Sequence, residues 1–455
     1  MTRDPDIPHT ATLRSAGRPL VAAALVTGFV LRLAFGLGYW VDKPLTHDER
    51  EYLLLAQNVA AGRGFQYRLP DGSAAPGEHF GRAPLYPMFL ASVMRATGVG
   101  LTMADWSTGV MFTPSPALLR AIKIAQAGVG ALIVWLIALL AWRTAGPTAA
   151  LIAAWLAALY PPLVWTPAYV FSETLYGALA LGCVLLIGES LGRDASGSAA
   201  STVGTRRFHP ARVIAAGALA GLAVLTRPAM LVFVGLAAPW LWWKRGLPAA
   251  ACLAVVCALV VAPWMLRNIG EHGRFVLVAS EGGVTFWTGN HPLAIGEGDM
   301  AANADIKRAN LDFRAAHPGL SPEQLEPLYY WDAMSWIAAN PRRFTMLLAR
   351  KAFYAVVPVG PSYRLHSPLY FGASVVSYLG VLPFAVAGFL RLARRDQLPV
   401  PLMLMALSAV LLSLAFFPQE RFRIPVIDPA LIVGAASWWT LRSARAAVPD
   451  PELCA

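Results

Sequence analysis

Apolar residues run in long blocks along this chain, punctuated by short basic or Pro/Gly-rich segments rather than alternating with polar positions. Leu20–Trp40, Ala117–Ala141, Val213–Leu225 continuing through Ala229–Trp243, and Leu247–Leu266 are such blocks. They approach or reach the roughly 20 residues that an α-helix needs to cross hydrocarbon. Two further stretches follow a helical period with one polar face: Tyr52, Leu53, Ala56 and Val59, and the segment Trp331–Val357. These predict amphipathic helices lying along a membrane surface. The pattern as a whole predicts an all-α polytopic membrane protein.

Composition strengthens this reading, because 57% of the 455 residues are hydrophobic and only 14% are charged. A soluble core could not hide so much apolar surface. The net charge of +11 raises nucleic acid as a partner, and the placement of the basic residues argues against it. Arg14 and Arg18 precede the first block and Arg143 follows the second. Arg193, Arg206, Arg207 and Arg212 form one later group; Lys244 with Arg245, Arg391 with Arg394 and Arg395, and Arg442 with Arg445 form the others. All fall in short segments on one side, which the positive-inside rule makes the cytoplasm. Counting crossings gives about ten spans or more with both termini inside.

A signal peptide competes for the N-terminus, since Arg14 and Arg18 precede an apolar run. That run is long enough to span and ends in Tyr39-Trp40 without a small-residue cleavage site, so it is expected to stay as the first helix. Cysteines at 183, 252, 257 and 454 form no disulfide framework or zinc spacing. The abundance of Ala and Arg suggests a bacterial source. Two long segments then lie outside, residues 42–116 and 268–367, and Gly192–Arg212 reads as a flexible cytoplasmic linker. The expected organisation is a transmembrane catalytic module over 1–267, an outer loop with interfacial helices over 268–367, and C-terminal transmembrane helices over 368–455.

The first outer segment opens on Thr46-His47-Asp48-Glu49-Arg50-Glu51-Tyr52. Thr46-x-x-Glu49 fits a capping box and Gly62 a helix end, so Glu49 divides evenly between structural and catalytic roles. Asp48 has no structural reason beyond a favourable place near the helix dipole. In His79-Phe80-Gly81-Arg82, Arg82 suits either a bidentate phosphate contact or a snorkelling role at the interface. Glu173 lies at the outer end of an apolar span, where an acid is expensive and usually functional. Arg227, Arg267-Asn268, Trp287 with Asn290, and Arg421 with Arg423 are the remaining candidates for substrate binding. Trp287 and Asn290 offer an aromatic platform with an amide for a sugar ring, or a turn anchored by the indole.

Each signal is short, but the topology sends all of them to the same face. Acids and arginines together at the outer bilayer edge suit a ligand with a phosphate at headgroup depth and a group that needs a general base. A lipid or solute transporter is the alternative, and it would place ionisable residues near the bilayer midplane on broken helices.

These residues resemble the GT-C glycosyltransferases, in particular bacterial members of glycosyltransferase family 39, relatives of protein O-mannosyltransferases and of aminoarabinose transferases. The resemblance covers most of the chain. It rests on Asp48-Glu49 with Tyr52, Gly81-Arg82-x-Pro84-Leu85-Tyr86-Pro87, Ser172-Glu173-Thr174-Leu175 and Leu225-Thr226-Arg227-Pro228. It continues with Ala262-Pro263-Trp264-x-x-Arg267-Asn268, Trp287-x-Gly289-Asn290 and Arg421-Phe422-Arg423-x-Pro425. It implies an inverting transfer from a polyprenyl-phosphate sugar to a lipid, glycan or protein acceptor, with Asp48 as general base and arginines on the phosphate. It also implies a bacterial inner membrane with the site facing the periplasm. Arg82 stands where aminoarabinose transferases look to carry Lys. Some members use a divalent metal and others do not, so a metal stays open.

Overall fold

The computed structural model describes residues 9–41, 43–75, 79, 81–103, 112–190, 209–298, 300, 302–361 and 367–446. The expected linker lies largely outside the described residues, as do Arg193, Arg206, Arg207 and Cys454.

The chain begins with α1 (His9–Leu33), which runs on as a π-helical turn, Ala34–Tyr39. The first long loop holds α2 (His47–Ala60), α3 (Leu85–Thr97) and a two-strand antiparallel pair, β1 (Leu101–Met103) with β2 (Phe112–Pro114). Next come α4 (Pro116–Ala145), α5 (Pro147–Leu159), the short α6 (Pro161–Trp165) with a 3-10 turn Thr166–Ala168, and α7 (Glu173–Ser190). After them stand α8 (Pro210–Thr226), α9 (Met230–Arg245) and α10 (Leu247–His272). The second long loop carries α11 (Gly282–Gly289), α12 (Ala304–Ala315), α13 (Pro322–Ala339) and α14 (Pro341–Val356). The chain closes with α15 (Pro368–Ala393), α16 (Val400–Ala415), α17 (Glu420–Arg423) and α18 (Ile427–Ala446).

Proline at the first helical positions starts α4, α5, α8 and α15, because its missing N–H is an orphan there anyway. Gly146 and Gly246, at φ 88° and 84°, turn α4 into α5 and α9 into α10. Their N–H groups donate to Trp142 O at 2.9 Å and Trp242 O at 2.7 Å. A side chain would be strained at that φ, so each turn keeps glycine.

Among the described residues five helices are long and apolar enough to cross a membrane, α1 with its π turn, α4, α7, α10 and α15, and the bent pair α5–α6 makes a sixth. The protein is an integral membrane protein. The ten crossings expected from charge placement also require α8, α9, α16 and α18, of 17, 16, 16 and 20 residues. Small residues let these helices approach closely. A Cβ on Gly221 of α8 would lie 2.6 Å from Val260 Cβ of α10, and one on Gly388 of α15 would lie 1.9 Å from Gly434 O of α18.

The irregular π turn frees carbonyls that the bundle must satisfy. Lys123 of α4 does so, donating to Gly36 O at 3.0 Å and also to Trp40 O. Gln126, one turn on, donates to Pro167 O and Tyr169 O at 3.1 and 2.7 Å, pinning the segment that leads into α7.

Both long loops are packed, as their apolar periodicity predicts. Leu53 and Leu54 of α2, Tyr86, Leu90 and Met94 of α3, and Leu118 and Ile122 of α4 make one buried cluster. Val284 and Trp287 of α11 with Leu325, Tyr329 and Ala333 of α13 make another. The amphipathic stretch Trp331–Val357 is two helices, because Pro341 starts a new one after Asn340.

Candidate active site

The site begins at the N-terminus of α2. Thr46 Oγ1 accepts from Glu49 N at 3.3 Å while Thr46 N donates to Glu49 Oε2 at 2.8 Å, completing the capping box. The second oxygen of Glu49 accepts from Val170 N at 2.9 Å and so ties α2 to the segment ahead of α7. Burial raises the Glu49 carboxyl, and the amides of Thr46 and Val170 offset part of the rise. Glu49 is therefore engaged on both oxygens by the fold itself.

Asp48 is one residue earlier and about 100° around the helix, so it faces elsewhere. Its Oδ1 accepts from Arg82 Nη2 at 2.8 Å and its Oδ2 from Arg421 Nη1 at 2.6 Å. Burial by itself raises this carboxyl, but Arg82 and Arg421 together hold it well below the usual carboxylate range.

Arg82 reaches Asp48 because the two long loops are stitched together beside it. Gly81 N donates to Ser280 Oγ at 2.8 Å and Ser280 N donates to Gly81 O at 2.9 Å. A Cβ on Gly81 would come within 2.8 Å of that hydroxyl oxygen. The stitch sets Arg82 Nη1 2.6 Å from Glu281 Oε2, while Arg82 Nε donates to Glu51 Oε2 at 2.7 Å and Nη2 also reaches Glu51. Arg82 thus uses all three nitrogens. His79 stands 3.5 Å from Glu51 and stacks on Tyr67 with ring centroids 4.4 Å apart.

On the other side of Asp48, Glu173 opens α7 and is 2% exposed at its side chain, with Arg227 Nη1 at 2.6 Å and Arg421 Nε at 3.8 Å. Arg227 caps α8 in an extended conformation and also donates to Ser172 Oγ at 3.2 Å. Its guanidinium lies 4.9 Å from the Phe422 ring centroid, and that of Arg421 lies 5.2 Å from Phe171.

Five of the residues singled out in the sequence are therefore in one cluster: Asp48, Arg82, Glu173, Arg227 and Arg421. His79 joins through Glu51. Glu51 and Glu281 were missed. The first was legible, since it lies three residues from Asp48 on the same helical face. Glu281 carries no comparable local signal and arrives only through the Gly81–Ser280 stitch.

The other candidates sit elsewhere. Arg267 packs over Trp264 at 4.9 Å and reaches Phe65 O at 3.4 Å. Asn268 is buried and donates to Val276 O and Val278 O at 3.2 and 3.4 Å. Trp287 is buried with its indole N–H on Asp332 Oδ2 at 2.6 Å. Asn290 donates to Phe286 O and Ala415 O at 2.8 and 2.9 Å and accepts from Lys351 Nζ at 2.8 Å. Arg423 forms a second, buried knot with Asp428 at 2.9 Å, over the Tyr378 ring at 4.1 Å.

A divalent metal finds no ready ligand set. Among the described residues no three His, Cys, Asp or Glu side chains are gathered to hold one. Asp48, Glu51, Glu173 and Glu281 are each already paired with an arginine.

Part-buried acids and arginines are thus gathered from helix ends and two stitched loops of an apolar helical bundle, and comparison with solved structures shows that the bundle has the GT-C membrane fold. The oligosaccharyltransferase AglB from Archaeoglobus fulgidus, in complex with an inhibitory peptide and a dolichol-phosphate, is similar over 94% of this chain and 52% of its own, at 16% identity and a TM-score of 0.52. The same enzyme tethered to an acceptor peptide gives 93% and 50% coverage, 16% identity and a TM-score of 0.53. The chain thus spans about half the length of AglB. ArnT from Cupriavidus metallidurans bound to undecaprenyl phosphate overlaps 94% of this chain and 78% of its own, at 15% identity and a TM-score of 0.39. No protein-family model and no curated protein sequence matches the chain.

Proposed function

We propose that the protein is a glycosyltransferase that moves a sugar from a polyprenyl-phosphate carrier to an acceptor on the outer face of the membrane. The observation that carries this reading is the Asp48 cluster: Asp48 and Glu173 interleaved with Arg82, Arg227 and Arg421, the last two of which keep unused donor edges. Among the described residues Arg227 donates only from Nη1 and Arg421 Nη2 has no hydrogen-bond partner. Planar guanidinium edges match phosphate oxygens bidentately. The dolichol-phosphate in the AglB complex supports a lipid phosphate as the ligand of this fold.

In the proposed reaction an acceptor hydroxyl or amine attacks the anomeric carbon as the bond from that carbon to the phosphate oxygen breaks. The bonding pair leaves with the polyprenyl phosphate, and the acceptor proton passes to Asp48, with inversion at the sugar. Arg227 and Arg421 offset the charge that grows on the departing phosphate, and removal of the proton contributes on the order of a hundred- to ten-thousand-fold in rate. The acceptor is a lipid, a glycan or a protein. The basic short loops support a site on the periplasmic side of a bacterial inner membrane.

The test is transfer of labelled sugar from a purified polyprenyl-phosphate donor by the purified full chain, paired with mass analysis of envelope glycans and glycolipids after deletion of the gene. Loss of one sugar substituent and label transfer in vitro are expected. Movement of intact lipid across the bilayer with no covalent transfer would overturn the reading in favour of a transporter.

A further inference from the structure

Each oxygen of Asp48 accepts a hydrogen bond from a different arginine, and two adjoining cations disfavour the protonated form that a base must adopt. The two arginines are held unequally. The Arg82 side chain is 12% exposed and saturated by Glu51, Glu281 and Asp48. Arg421 is 32% exposed and rests on the four-residue α17. Its Nε donates to Gln419 Oε1 at 2.8 Å and only approaches Glu173, at 3.8 Å. Its Nη2 faces no partner among the described residues, and Arg227 shares Glu173 with it.

We propose that Arg421 is an exchangeable clamp: a prenyl phosphate draws it away from Asp48, so that Asp48 becomes free to take the acceptor proton only after the donor has bound. The inference rests on the reading above of a lipid-phosphate donor with Asp48 as base. Arg82 stays behind because three carboxylates hold it, which leaves Asp48 one shared cation in place of two. Arg82 and Arg421 contact Asp48, the charges of Glu49 and Glu281 act on it, and Arg227 stands beyond them on Glu173. Of the arginines among them, Arg421 is the most exposed. The consequence is an ordered reaction in which the donor precedes the acceptor.

Equilibrium binding of farnesyl phosphate to the purified full chain tests the exchange without knowledge of sugar or acceptor. If Asp48 competes with phosphate for Arg421, Asp48→Asn binds the probe about tenfold tighter, close to 1.4 kcal/mol. Arg421→Gln binds it more weakly, and adding Asp48→Asn to Arg421→Gln restores nothing. Glu281→Gln removes an equal charge from Arg82, which is not exchanged, and is expected to gain less than about threefold. Tighter binding cannot arise from misfolding, so the main readout survives a destabilised variant. Unchanged or weaker binding by Asp48→Asn overturns the exchange, as does a gain that persists without Arg421 or is matched by Glu281→Gln. If no form binds farnesyl phosphate, the donor reading falls and the exchange falls with it.

Discussion

Asp48 and Glu49 are adjacent acids with different fates, and the difference is a helical rotation. Glu49 spends its two oxygens on Thr46 and Val170, whereas Asp48 meets only arginines. Asp48→Asn is expected to lower transfer by about a hundred- to ten-thousand-fold, the usual worth of a general base, in single-turnover assays of folded protein. Glu49→Gln has one carbonyl oxygen for donors that now use two, so it should lower the melting temperature by removing part of the cap, on the order of 1 kcal/mol, while the folded fraction keeps its turnover. Near-normal turnover in Asp48→Asn with loss in Glu49→Gln would move the base by one residue. Arg227 and Arg423 also separate. Arg227→Lys keeps the charge but loses the planar fork, so the donor KM should rise. Arg423 pairs with the fully buried Asp428. Arg423→Gln should therefore cost stability, about 3 to 5 kcal/mol for a broken buried pair, and a change confined to donor KM would contradict that assignment.

At the scale of elements, Lys351 joins the second loop to the bundle. It is fully buried on α14 and donates to Asn290 Oδ1 at 2.8 Å and to Leu414 O at 3.1 Å, one of the free carbonyls at the end of α16. Burial pushes its ammonium down to about 7 from an ordinary 10.5. Between those values the unfolded chain binds the proton more readily than the folded one, so stability should rise as pH increases from about 7 toward 10.5 and be lost as pH falls back to 7. The slope for one such group approaches about 1.4 kcal/mol per pH unit. Thermal unfolding in detergent across that range would show it, and Lys351→Met should flatten the dependence. The α15–α18 pair makes a different demand. Gly388 meets Gly434 O with no room for a Cβ, so Gly388→Ala should destabilise by about 1 to 3 kcal/mol, measured as a lower melting temperature with the donor affinity of the folded fraction retained.

At the scale of the whole molecule, the site is assembled from both long loops and the ends of α7, α8 and α17, and each of these must lie on one side of the bilayer for the chemistry to work. Cysteine labelling in intact cells should find residues 42–116 and 268–367 outside and the turns at Gly146 and Gly246 inside. Asp48 reachable only from the cytoplasm would defeat the mechanism. The loops are joined by the Gly81–Ser280 pair, so the same labelling should respond to donor on both loops together.

Hydrophobic runs, the capping pattern and charged turns are local properties, and they were enough to predict a helical membrane protein and the capping box at Thr46, and to single out Asp48, Arg82, Glu173, Arg227 and Arg421 as candidates. Helix geometry fixes which neighbours share a face, so Glu51 was readable beside Asp48 as well. Partner choice is another matter, because it depends on where helix ends meet across hundreds of residues. Arg421 and Arg423 look alike in sequence, yet two positions of helical turn send one to Asp48 and the other to Asp428. Trp287 and Asn290 look like a sugar platform until packing gives the indole to Asp332 and the amide to the end of α16. Glu281 enters the cluster only because two loops 199 residues apart exchange hydrogen bonds, a contact that local propensity does not encode and tertiary packing alone decides.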